Sequence, residues 1–157
     1  MNLIYRVETA SFEEIYDHLE LCDSSFMPAL SSRVNLADYS KKIFEKGISI
    51  EAWHGEILVG MINMYLNDVK NGLGFITNVS VLKEYRGHGI ASTLLKICLM
   101  QAGNRGFNRV RLEVSSENSA AKRMYLRAGF LAIQDNADSY LMECDVSLIK
   151  HGVEAIS

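Results

Sequence analysis

The chain has 157 residues and a mass of 17.6 kDa, with 48% hydrophobic residues, 22% charged residues and a mean hydropathy of +0.04. That size and composition fit one folded domain with its own core and exclude a disordered tail. The formal net charge of −3 argues against a nucleic-acid binder, which usually carries a basic excess.

Pro28 is the only proline, and no Ser/Gly-rich linker or internal repeat interrupts the chain. A single continuous domain is therefore expected over residues 3–145. Leu3–Val7 reads as the first strand. Glu13–Cys22 places Ile15, Leu19 and Cys22 at helical spacing behind an N-cap candidate, Ser11. Ser24–Arg33 holds the proline and several serines, and reads as a loop or a broken helix. Leu36–Glu45 is a second helix, stopped by Gly47.

Ile48, Ile50 and Ala52 alternate with smaller or polar residues. His54-Gly55-Glu56 makes a hairpin turn and Ile57–Leu66 runs back as a longer strand. After the loop Asn67–Gly72 comes the strand Gly74–Leu82, and then the period changes. Ile90–Ala102 is a helix, Val110–Val114 a strand, and Ser119–Ala128 a helix closed by Gly129. Phe130–Gln134 and Ser139–Cys144 form a final hairpin through Asp135–Asp138, and residues 146–157 are assigned no structure. The order βααβββαβαββ mixes hairpins with strand–helix–strand units, so a mixed α/β (α+β) sheet of about seven strands is expected.

Cys22, Cys98 and Cys144 are widely spaced and odd in number, which reads as free core thiols in a reducing compartment. Met1–Ala10 lacks a basic segment followed by an apolar one, and no apolar run reaches the ~20 residues of a membrane span. The expectation is a cytoplasmic protein with no membrane partner, no nucleic-acid partner and no metal, as a monomer or a homodimer.

The chemistry concentrates in Val79-Ser80-Val81, where a β-branched strand ends, and in Arg86-Gly87-His88-Gly89-Ile90-Ala91, where a helix opens. Unpaired N–H groups at a helix start, backed by the helix dipole, attract an anion. Gly87 and Gly89 allow close backbone approach, and Arg86 adds a charge suited to phosphate. The expected ligand is a diphosphate. Neither the Walker pattern nor the three-glycine dinucleotide fingerprint is present. Taken alone, the motif reads equally well as a tight strand-to-helix turn with a solvated arginine.

Arg86-Gly87-His88-Gly89-Ile90-Ala91 resembles the Arg/Gln-x-x-Gly-x-Gly/Ala signature of the GCN5-related N-acetyltransferase (GNAT) superfamily. Asn118-x-x-Ala121-x-x-x-Tyr125-x-x-x-Gly129-Phe130 resembles its second signature, and the element order is similar along nearly the whole chain. The resemblance implies a GNAT-like fold with a splayed central sheet and helices on both faces. It implies that the acetyl-CoA pyrophosphate rests on the amides of Arg86–Ala91 with Ser92 close by. The pantetheine arm would pair with the backbone of Val79, Ser80 and Val81, an N–H near Val79 polarising the thioester carbonyl.

The resemblance also makes Tyr125 the acid that protonates the departing CoA thiolate. A packing aromatic is the alternative. Asn118 either holds the pantetheine or caps its helix. Leu112-Glu113-Val114 is similar to the RimI-like branch, where the matching glutamate acts as base through water; beside Arg109 and Arg111, Glu113 reads as easily as a salt-bridge partner. His88 faces solvent or the nucleotide in this reading, and no cysteine has the neighbouring histidine a nucleophile needs.

Acceptor choice falls to Phe26–Arg33, Tyr65–Asn71 and Asp135–Tyr140. Phe26, Met27, Leu30 and Tyr65 are candidates for an apolar wall, Arg33 or Asp138 for reading polar groups, and Tyr140 for the substrate side; Phe26 and Leu30 serve equally as core plugs. The reading is an acetyl-CoA-dependent N-acetyltransferase acting on a small amine, such as an amino sugar or amino acid, or on a peptide N-terminus. An idle CoA-binding module and a transferase of longer acyl groups are the alternatives.

Overall fold

The computed structural model describes residues 1–149. The elements in chain order are β1 (Ile4–Val7), α1 (Phe12–Cys22), α2 (Leu36–Lys46), β2 (Ile48–His54), β3 (Ile57–Asp68), β4 (Leu73–Val81), α3 (Ile90–Asn104), β5 (Arg109–Ser115), α4 (Ser119–Ala128), β6 (Leu131–Asp135) and β7 (Ser139–Asp145). Short 3₁₀ turns at Asp23–Ser25 and Leu30–Ser32 occupy the segment read as a loop or broken helix. A third, Lys83–Tyr85, follows β4. Seven strands hydrogen-bond in the order β1-β2-β3-β4-β5-β7-β6. The β4–β5 pairing is parallel, whereas β1–β2, β2–β3, β5–β7 and β6–β7 are antiparallel, which makes the mixed sheet expected.

The described chain forms two compact units: Met1–Met64 with Asn78–Leu94, and Tyr65–Thr77 with residues 95–149. In the first, α1 begins with a reciprocal cap in which Ser11 Oγ accepts from Glu14 N–H and the Glu14 carboxylate accepts from Ser11 N–H. Ile15 and Leu19 of α1 and Ile43 of α2 meet Trp53, Leu58 and Met61 in a core cluster. Gly47 ends α2 as expected, with an extended backbone at φ −92°. A side chain there would overlap Asn63 Oδ1, so the close approach of β3 requires the glycine.

Strand β2 departs from simple alternation. Ser49 and Glu51 are buried along with Ile48, Ile50 and Ala52. Glu51 is tolerated there because Thr9 N (3.0 Å), Ala10 N (2.9 Å) and Trp53 Nε1 (3.0 Å) donate to its carboxylate, together with the Thr9 and Ser49 hydroxyls. A buried charge supplied with several donors costs far less than a bare one.

In the second unit, β4 pairs with β5 only at Leu73–Phe75 against Arg109–Arg111, while β5 pairs with β7 along its full length. Val110, Leu112 and Val114 are buried on one face of β5. Helix α4 ends at Gly129, whose φ of +106° is the left-handed conformation that favours glycine. Phe130, expected at the start of β6, instead sits fully buried just before it with its ring edge-on to Tyr125.

Candidate functional site

In the first unit, β4 leads through the Lys83–Tyr85 turn into Arg86–Gly89, and α3 starts at Ile90. Gly87 and Gly89 have φ of +82° and +74°, and beyond the adjoining residues no atom lies within 4 Å of where a Cβ would stand on either. Glycine is needed there for its backbone, and the space above the turn is open. Ile90 is 2% exposed and packs where β3 carries Gly60; a Cβ on Gly60 would come within 2.9 Å of Ile90 Cγ2. The helix start is thus set down on β3 while its first-turn N–H groups, at Ile90, Ala91 and Ser92, lack intrahelical acceptors.

Arg86 and His88 are exposed beside this turn. Arg86 Nε donates to the Val81 carbonyl (3.2 Å), which holds the guanidinium stem along the end of β4. Tyr85, one residue earlier, is held at 2.7 Å from its hydroxyl to His54 Nδ1, with the rings edge-on at 5.5 Å. Open glycines, free helix-start amides and an arginine together suit a diphosphate.

The side chains of β4 divide between two roles. Val79 and Val81 are half-buried, whereas Ser80 and Asn78 are buried. Ser80 Oγ lies 2.9 Å from His18 Nε2 and 2.9 Å from one end of the Asn78 amide, whose other end lies 3.4 Å from the Tyr39 hydroxyl. His18 Nδ1 donates to the Leu58 carbonyl (2.9 Å). Burial pushes the His18 pKa down to about 4, so the ring is neutral at pH 7. Sequence reading singled out neither His18, Asn78 nor Tyr39. The available signal was the position of His18 on the stripe Ile15, Leu19, Cys22, where a histidine needs polar partners supplied by other elements.

Of the acceptor candidates in this unit, Phe26 packs partly against the core cluster and Leu30 is buried within it. Both follow the plug reading. Arg33 and Met27 are exposed.

The second unit carries Tyr125, Asn118, Glu113, Tyr65 and Tyr140. Tyr125 is 7% exposed, and burial pushes its phenol up to about 12, so it keeps its proton at neutral pH. Asn118 caps α4, its Oδ1 accepting from Ala121 N–H at 3.1 Å. Glu113 is not the arginine partner that its neighbours suggest. Arg109 (3.7 Å) and Arg111 (2.7 Å) both turn to Glu143, and Glu113 Oε2 accepts from the Ser139 hydroxyl at 3.4 Å. Lys122 Nζ stands 3.6 Å over the Tyr140 ring, a cation–π contact that covers this acceptor candidate. Tyr65 is half-buried.

Cys22, Cys98 and Cys144 are free and buried, and burial raises all three thiols: Cys22 and Cys144 to about 11, Cys98 further. None is a thiolate at neutral pH. Among the described residues no group of three or more His, Cys, Asp or Glu could hold a metal ion, and no helix is long and apolar enough to cross a membrane.

A family model described as "Acetyltransferase (GNAT) family" matches residues 12–130. N-alpha-acetyltransferase 30 of Schizosaccharomyces pombe is 42% identical over 57 residues, 36% of this chain and 38% of that protein. Streptothricin acetyltransferase of Escherichia coli is 31% identical over 123 residues, 74% of this chain and 67% of that one. A chain of the NatC complex bound to Gag peptide and CoA shares the fold, with a TM-score of 0.72 at 23% identity over 92% of this chain and 99% of that one. The chain spans about two fifths of the length of several curated relatives it matches.

Proposed function

The chain belongs to the GNAT acetyltransferase family, and from that premise we propose that it moves an acetyl group from acetyl-CoA to a peptide N-terminus by direct transfer in a ternary complex. The observation that carries this reading is the Arg86–Ala91 turn. Two glycines at positive φ, open space above them and a helix start behind them suit the diphosphate. The likeness to N-alpha-acetyltransferase 30 favours a peptide acceptor over other amines.

Each residue then has a role. The amides from Arg86 to Ala91 bind the diphosphate, with the Arg86 guanidinium and the Ser92 hydroxyl beside them, and His88 lies at the exposed rim. The backbone of Val79, Ser80 and Val81 serves as the strand edge for the pantetheine arm, and an N–H near Val79 polarises the carbonyl under attack. Bound acetyl-CoA supplies an activated thioester and a thiolate leaving group. Glu113, free of the Arg111–Glu143 pair, takes the proton from the attacking amine through water. Tyr125 keeps its proton until the leaving thiolate accepts it. Asn118, committed to capping α4, fixes the helix that carries Tyr125. Phe26 with Arg33, and Tyr65 with Tyr140, are the acceptor-side candidates of the two units.

A small-amine acceptor is the second reading, favoured by the longer match to streptothricin acetyltransferase. Thiol release from acetyl-CoA, followed against separate pools of N-terminal peptides, amino sugars and amino acids, tests both. Acceptor-dependent release in the peptide pool supports the first reading, and release confined to a small-amine pool replaces it with the second. Release at the hydrolysis level in every pool would count against both.

A further inference from the structure

The buried polar residues of the first unit are not used by the chemistry above, yet they converge on the strand that it needs. His18 projects from α1 and touches two strands at once: Nδ1 meets the Leu58 carbonyl of β3 at 2.9 Å, and Nε2 meets Ser80 Oγ of β4 at 2.9 Å. From Ser80 the contacts pass to Asn78 (2.9 Å), two residues back on the same strand face, and on to the Tyr39 hydroxyl of α2 at 3.4 Å. His18 is 1%, Asn78 5% and Ser80 7% exposed. Cys22 Sγ lies 3.7 Å from the same histidine nitrogen.

The order of donors follows from what each atom can do. A carbonyl oxygen only accepts, so the proton between His18 and Leu58 sits on Nδ1. In a neutral ring Nε2 is then an acceptor, and the Ser80 hydroxyl donates to it. Ser80 has one proton and cannot also donate to Asn78. The Asn78 amide must therefore present its nitrogen to Ser80 Oγ and its oxygen to the Tyr39 hydroxyl, the two ends of the amide being interchangeable in shape. The protons that run from Tyr39 through Asn78 and Ser80 to His18 then all point one way.

We infer that His18, Ser80, Asn78 and Tyr39 are positioning residues, with His18 as the neutral Nδ1–H tautomer, that tie α1 and α2 to Asn78–Val81 so that the backbone of Val79 and Val81 is presented as a fixed edge for the pantetheine arm. This rests on the acetyl-CoA reading of β4. The Ser80 side chain is consumed by the network, so it acts on the cofactor through the backbone. Buried networks of this kind restrict the conformations open to the groups they join when every member is satisfied, and loosen them when one is removed. Helices α1 and α2 also bracket Phe26 and Arg33, so the same ties fix both ends of that acceptor-side segment.

The test has two readings on the full chain, each taken where the variants are fully folded. Nitrogen-15 NMR of the imidazoles at pH 7 should find His18 as the neutral Nδ1–H tautomer; an Nε2–H tautomer or an imidazolium overturns the donor order. Calorimetric titration with CoA should find Ser80→Ala binding about tenfold more weakly than wild type. Ser80→Thr keeps the hydroxyl and should restore most of that affinity. Wild-type and Ser80→Ala proteins binding CoA equally would overturn the positioning role. A folded wild type that binds no CoA would instead overturn the acetyl-CoA reading, and this inference with it.

Discussion

Arg111 and Glu143 face each other across the β5–β7 pairing and meet at 2.7 Å, Arg111 Nε to Glu143 Oε2. Arg109 reaches the same carboxylate at 3.7 Å. Glu143 thereby takes the two cations that stand before Glu113 on β5. The Glu113 carboxylate is exposed and accepts from the Ser139 hydroxyl at 3.4 Å. Had it been locked between two guanidiniums, it would be a poor proton acceptor.

A direct consequence concerns Glu113→Gln. The amide keeps the shape and cannot take a proton, so the turnover number should fall about a hundredfold, the usual scale of a general base. Folding should be unaffected, because an exposed side chain with one long hydrogen bond contributes little. Steady-state kinetics beside urea unfolding separates the two effects. Turnover within twofold of wild type would remove Glu113 from the mechanism.

Tyr125→Phe probes the acid. The ring is buried edge-on to Phe130 with centroids 5.8 Å apart, and phenylalanine preserves that contact. Stability and CoA affinity should stay close to wild type while turnover drops about a hundredfold. With the phenol pushed up to about 12, the wild-type acid remains protonated at neutral pH. Unchanged turnover in the variant would reduce Tyr125 to a packing residue.

Charge reversal at Arg86 tests the phosphate turn. Arg86→Glu sets a carboxylate beside the proposed diphosphate and removes the Nε donation to Val81 at the end of β4. CoA affinity should fall by more than tenfold, with Arg86→Gln in between, and the wild-type affinity should weaken as salt is added. Calorimetry in which Arg86→Glu binds CoA as wild type does would move the diphosphate elsewhere.

The turn and α4 were legible in the sequence because their signals are local. Asn118 three residues before Ala121, and glycine at 129 after the last helical residue, announce a cap and a stop within one segment. The same holds for Gly87 and Gly89. What stayed hidden depends on partners distant in the chain. Glu51 looks solvent-facing among alternating residues, and its burial depends on Thr9 and Ala10, some forty positions earlier, as well as on Ser49 and Trp53. His18 likewise depends on Leu58 and Ser80, 40 and 62 positions away. Glu113 was left open between two roles for a related reason. Nearness in sequence put it with Arg109 and Arg111, whereas the register of β7 delivered Glu143 to them first. Local propensity carries caps and turns, while side-chain pairing across strands is set by register.

Acid should destabilise the protein through His18 before its carboxylates take part. In the folded state burial holds the imidazole pKa near 4, and unfolding returns it to about 6.5. Between these values the unfolded chain binds a proton that the folded protein refuses, so folding stability falls as pH drops from about 6.5 to about 4. The full loss is about 3 kcal/mol, from 1.36 kcal/mol for each pH unit of the shift. Asp23, held low mainly by Ser31, and Asp145, held low mainly by Ser147, act in the same direction at still lower pH, because their stabilisation is lost only as the carboxylates protonate. Urea unfolding at pH 7, 5.5 and 4.5 should therefore give a midpoint that declines steadily in wild type. In His18→Gln the midpoint should start lower and decline much less across the same interval, since the group that titrates is gone. Parallel slopes in the two proteins would mean that another group carries the acid sensitivity and that His18 does not resist protonation in the folded state.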